Sequence, residues 1–136
     1  MKQVKGYNFS RPFMGERVPQ HIQNIVIKDF CQKNSLNFLL SATEDSMKNS
    51  FYMLNQLVNN LKEIDGFVAY SIFQMPYDDL KREKIFKKIL QEKKTVFFAC
   101  ENLKVSKKEE IKRIEKIWKI KKISQQCLKS KDLKKI

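Results

Sequence analysis

Four short apolar runs, separated by stretches of helical periodicity, leave this chain little architectural freedom. Val4–Ser10, Leu36–Ser41, Phe67–Phe73 and Thr95–Cys100 read as strands, rich in aromatic and β-branched residues. Between the first two, Ile22, Ile25, Val26 and Phe30 recur at helical spacing behind Pro19, a residue suited to a first helical turn. Phe51, Leu54, Leu57, Val58 and Leu61 mark a second helix. Leu80, Ile85, Phe86, Ile89 and Leu90 mark a third, over Tyr77–Lys93. Ser106 with Glu109 forms a capping box that opens a fourth helix, carrying Ile111, Ile114, Trp118 and Ile123 on one side. The order βαβαβαβα predicts an α/β three-layer sandwich, a four-stranded parallel sheet with helices on both faces. Right-handed crossovers leave few topologies. The expected organisation is an α/β domain over 1–103, a basic amphipathic helix over 104–129 and a frayed tail over 130–136. The helix would pack on the domain or at a dimer interface, with Trp118 as its anchor.

Charge is distributed unevenly. The net charge of the 136 residues is +13, yet residues 103–136 hold 13 Lys/Arg against 4 Asp/Glu and so contribute +9 of it. Such a segment suits nucleic acid, anionic lipid or an acidic partner, and reads equally as a solvated helix face. The 3 cysteines, Cys31, Cys100 and Cys127, show no CxxC spacing and share the chain with 1 histidine. A disulfide framework or a zinc site is thereby disfavoured, and no metal or cofactor is expected. Each cysteine reads as a small buried apolar residue, and free thiols fit a reducing cytoplasm. No signal-peptide stretch and no membrane span is visible, which points to a cytoplasmic protein.

A parallel sheet brings the carboxyl ends of its strands to one edge, where ligands bind in α/β folds. The segment from Phe9 to His21 leaves the first strand there and crowds Ser10, Arg11, Glu16, Arg17, Gln20 and His21 around two of the chain's three prolines. Arg11 and Arg17 could clamp a phosphate or carboxylate, beside the amide groups of the first helical turn at Gln20. Glu44 and Gln74 join from the second and third strands as further ligand-binding residues. His21 and Tyr77 are the candidates for proton transfer, and Ser10 for a nucleophile. With 3 glycines in the chain there is no glycine-rich phosphate loop, and Ser10 has no His–Asp set for a hydrolase triad.

The run from Tyr7 to Asn24, with Leu39–Glu44 and Tyr70–Pro76, resembles the sporadic carbohydrate-cluster family, small proteins of bacterial surface-polysaccharide and lipopolysaccharide loci. A more distant resemblance is to the catalytic domain of serine recombinases (resolvases). Ser10 and Arg11 fall near the place of its nucleophile, and Gln20 and Gln23 on the helix that follows. Where that family places an Asp-Arg and a second arginine, this chain has Gln74-Met75-Pro76-Tyr77. Those arginines stabilise the phosphoryl-transfer transition state, so their replacement points to a fold-level likeness.

Two functions follow from these resemblances. The first is an accessory or modifying protein of surface-glycan biosynthesis on a resolvase-like fold, which binds a nucleotide sugar or sugar phosphate through Arg11 and Arg17. In it, Glu16, Glu44 or Gln74 would read the sugar hydroxyls. The alternative is a serine recombinase-like, catalytically degenerate DNA-binding protein, which the basic last helix favours. A non-catalytic homodimer formed through that helix is a third reading.

Overall fold

The computed structural model describes residues 1–45, 47 and 50–134. Five strands and four α-helices follow one another as β1 (Lys2–Phe9), α1 (Gln20–Lys33), β2 (Leu36–Glu44), α2 (Tyr52–Asn59), β3 (Gly66–Ala69), α3 (Asp79–Gln91), β4 (Thr95–Phe98), β5 (Leu103–Val105) and α4 (Lys108–Lys134). Short 3-10 turns occupy Leu61–Glu63 and Ile72–Gln74. The strand order is β2-β1-β3-β4-β5. The first four strands run parallel, as the alternation with helices predicts, and β5 pairs antiparallel with β4. The sheet thus has five strands where four were expected. At three residues, β5 is too short to show alternation, and it doubles back through Asn102, whose φ of 54° is the left-handed conformation of a tight turn.

The chain forms two compact units, Met1–Ser106 and Lys107–Ile136. In the first, α1 covers one face of the sheet, where Val4, Ile27, Phe30, Cys31, Val68 and Phe97 form a core cluster. On the opposite face Tyr7 and Phe67 meet edge to face, as do Phe86 of α3 and Phe98. Leu54, Leu57, Val58 and Leu61 are buried as their spacing predicts. The apolar faces of α1 and α3 differ from expectation. In α1 the buried stripe is Gln23, Ile27, Phe30 and Cys31, while Ile22 and Ile25 are exposed. A polar residue leads the stripe, so apolar periodicity alone reads the helix rotated. In α3 Leu80 is exposed and Arg82 is buried, its guanidinium donating to the carbonyls of Pro76 and Tyr77 and pairing with Asp79 at 2.6 Å. That helix starts at Asp79 because Asp78 caps it, accepting from the amides of Leu80 and Lys81. The third strand ends at Ala69, where a strand to Phe73 was expected, since Ser71 caps the turn that begins at Ile72.

Only Cys31 matches the expectation of burial; Cys100 and Cys127 are exposed. In the second unit α4 opens with Glu109 and Glu110 in its first turn, complementing the helix dipole. The helix continues to Lys134, through most of the segment expected to fray; residues 135 and 136 lie outside the described residues. Within α4 the Lys122 ammonium lies 5.9 Å from the centre of the Trp118 ring. Among the described residues no helix is long and apolar enough to cross a membrane.

Gly66 is required by close approach. A Cβ there would collide with the backbone carbonyl of Thr95, its partner on β4. Gly66→Ala is expected to destabilise the fold by roughly 1–3 kcal/mol through overpacking, read as a lower urea midpoint at unchanged m-value.

Candidate functional site

The carboxyl edge of the sheet is organised around Glu44, the last residue of β2. Its carboxyl accepts the Tyr7 hydroxyl at 2.7 Å and the amides of Met53 and Leu54 at 2.9 and 3.1 Å, fastening the first turn of α2. Burial first, and then the bond to Glu44, hold the Tyr7 phenol far above its ordinary range. The Glu44 carbonyl accepts both the amide of Ser10, at 3.1 Å, and its hydroxyl, at 2.7 Å. The Ser10 proton is therefore aimed at a carbonyl, which can hold it but cannot take it.

A second device is Gln23 of α1, fully buried. Its amide nitrogen donates to the carbonyls of Phe9 and Val18, while its oxygen accepts from the Phe9 backbone and from Gln74 at 2.7 Å. One side chain thus joins the end of β1, the end of the following loop and the 3-10 turn after β3. Nearby, Asn24 accepts from Asn8 and Ser41. The buried oxygens of Asn8 and Gln74 have no hydrogen-bond partner among the described residues.

Between these supports lies a cleft of about 440 Å³, lined by Phe9, Ser10, Arg11, Arg17, Val18, Pro19 and Gln20. Four predicted residues, Ser10, Arg11, Arg17 and Gln20, therefore converge. Arg17 is exposed and, among the described residues, has no ion-pair partner. Pro19 gives α1 no side-chain cap, which leaves first-turn amides facing this end. Arg11 is engaged differently from the phosphate clamp expected of it. It donates to the carbonyls of Asp45, Met47 and Ser50, with its guanidinium carbon 4.3 Å from the Phe9 ring centre and 5.2 Å from that of Phe51. Gln20 donates to Thr43.

The other predicted residues do not line the cleft. Glu44 and Gln74 are buried behind it as supports, and His21 is exposed on the first turn of α1. Tyr77 is exposed before α3, its carbonyl taken by Arg82. Glu16 pairs through its backbone with Phe13, closing a small hairpin whose turn holds Met14 and Gly15 at φ 50° and 77°.

A further group lies after β3 and β4. Glu101 accepts from the Ser71 hydroxyl and the Ile72 amide, at 2.8 and 2.9 Å. Burial raises its carboxyl above the ordinary range against those hydrogen bonds. The hydrogen bond between Tyr70 and Cys100, aided by burial, pushes the Tyr70 phenol up to about 12. Though its side chain keeps contact with solvent, partial desolvation raises the Cys100 thiol, against the Tyr70 bond and with help from Glu101 and Glu16. Among the described residues no group of three or more His, Cys, Asp or Glu could hold a metal ion. Nothing in the sequence pattern marks Tyr70 and Cys100 as a pair, because both read as ordinary strand residues.

No family model matches the chain, and no curated protein does so. The carbohydrate-cluster resemblance therefore has no support from these comparisons. Solved structures do match. One is the N-terminal catalytic domain of TP901-1 integrase, at TM-score 0.63 and 11% identity, over 90% of this chain and 98% of that one. Another is a resolvase family site-specific recombinase from Streptococcus pneumoniae, at TM-score 0.64 and 10% identity, over 97% of both chains. The chain has the resolvase-like fold. At these identities the likeness speaks for architecture and leaves the reaction open.

Two measurements test this geometry. Glu44→Ala leaves the buried Tyr7 hydroxyl and the amides of Met53 and Leu54 unpaired, and is expected to cost roughly 3 kcal/mol or more in unfolding free energy. Glu101 binds its proton more tightly in the folded state than in the unfolded one. Its contribution is therefore fully present below its ordinary value of 4.5 and is lost as the pH rises through the raised folded value. Between about pH 4 and pH 7 the wild type should lose stability relative to Glu101→Gln. A constant difference in urea midpoint across that range would contradict the assignment.

Proposed function

We propose that this chain is a serine recombinase-like protein that binds the phosphate backbone of DNA at the Ser10–Gln20 cleft without cutting it. The observation that carries the reading is the resolvase-like fold, with a serine at the carboxyl end of β1 facing a cleft that holds an exposed arginine and uncapped helix amides. Arg17 and those amides suit a phosphate diester by charge and geometry. Two features support binding without cleavage. The Ser10 hydroxyl donates to the Glu44 carbonyl, which is not a base. Arg11 is committed to the loop after β2, and Gln74 is a neutral buried amide, which leaves developing phosphoryl charge poorly stabilised. The strongly basic segment 103–136, at net +9, adds non-specific attraction for a polyanion.

The test is fluorescence anisotropy with a labelled 30-base-pair duplex across a salt series. Arg17→Ala should weaken binding several-fold and reduce the slope of log K against log salt by about 1. No covalent protein–DNA adduct should accumulate, with wild type and Ser10→Ala indistinguishable in a denaturing gel. A Ser10-dependent adduct would overturn the non-cleaving reading, and an unchanged salt slope in Arg17→Ala would remove the cleft from the interface. The surface-glycan reading rests on the sequence resemblance, and its nucleotide-sugar ligand would meet the same Arg17. Displacement of DNA by micromolar UDP-glucose would favour it.

A further inference from the structure

The sheet has two edges, and they are treated unequally. On one side β5 is three residues long and carries an exposed Lys104, two devices that discourage a further strand from adding. On the other, β2 runs for nine residues, Leu36-Asn37-Phe38-Leu39-Leu40-Ser41-Ala42-Thr43-Glu44, with neither lysine nor proline. Its one charged residue, Glu44, is buried. Among the described residues β2 pairs only with β1, so its outer row of amides and carbonyls has no strand beside it.

The middle of this edge is apolar and exposed. The pairing register slips between Val4↔Phe38 and Gly6↔Ser41, so Leu39 and Leu40 together oppose Lys5 in a β-bulge. The bulge leaves Leu40 82% exposed. Beside it a groove of about 630 Å³ opens between β2 and α2, with walls that include Leu39, Leu40, Met53 and Leu57. The charged residue lining it is Lys5, which has no ion-pair partner among the described residues.

We propose that the β2 edge and its groove capture an extended peptide segment of alternating apolar and acidic residues, which adds to the sheet as a sixth strand. Three features select this occupant. Unpaired main-chain groups along an edge strand are matched by another extended backbone. The groove accepts alternate apolar side chains from such a strand, while Lys5 favours an acidic one between them. The Lys5 ammonium in the groove wall, with no carboxylate among the lining residues, favours an acidic partner over a second copy of this edge, which exposes no charge.

The probe is fluorescein-labelled (Val-Glu)4-Val, nine residues to match β2, titrated with full-length protein and followed by anisotropy. Two controls separate strand addition from diffuse charge attraction: (Pro-Glu)4-Pro, which keeps the charge but has no amides to donate at proline, and (Val-Lys)4-Val, which reverses the charge. The Val-Glu peptide should bind at least tenfold more tightly than either control. Leu40→Lys, which guards the edge at an exposed position, should weaken it at least tenfold and leave both the thermal melt and DNA affinity unchanged. Equal affinity for the proline peptide, indifference to Leu40→Lys, or no binding of the Val-Glu peptide would overturn the proposal. So would sedimentation as a dimer that Leu40→Lys converts to a monomer, which would assign the edge to a second copy.

Discussion

Much of the carboxyl edge depends on one buried carboxyl and the carbonyl of the same residue. Glu44 holds the Tyr7 hydroxyl, two amides of α2 and the backbone and side chain of Ser10. Because β1 lies inside the sheet and β2 at its margin, this cluster fixes the end of the sheet at which the chain leaves for the cleft. Polar groups buried in an apolar surround are costly when unmatched and restrictive when matched. Here matching is nearly complete around Glu44 and Gln23, and the loop between them inherits its position from both sides. The cleft is thus shaped largely by residues behind it.

The alternation of strand and helix was legible because it depends on periodicity, and the parallel core of the sheet follows from it directly. What escaped has specific physical causes. The buried stripe of α1 begins with Gln23, whose burial makes sense only once the ends of β1 and the following loop are known to need hydrogen-bond partners. Arg82 enters the interior because carbonyls of Pro76 and Tyr77 are there to receive it. In both cases a long-range polar match overrode an apolar pattern. The polar cluster after β1 lines a cleft, yet the same cluster could not say which groups are spent internally. Arg11 and Arg17 look equivalent in sequence; three loop carbonyls distinguish them.

The electrostatic character of the molecule divides along similar lines. Basic charge is concentrated in the last 34 residues, whereas the ends of β3 and β4 carry a compact group of acids and weak acids.

The direction of one hydrogen atom has a further consequence. With its proton committed to the Glu44 carbonyl, the Ser10 oxygen presents lone pairs to the cleft. An electron-rich oxygen repels the oxygens of an anion and tolerates only an electron-poor centre or a donor. An anion entering the cleft is therefore drawn toward Arg17 and the α1 amides and away from the Ser10 oxygen. The serine thus gives the cleft an acceptor among its donors, a polarity that any occupant has to match.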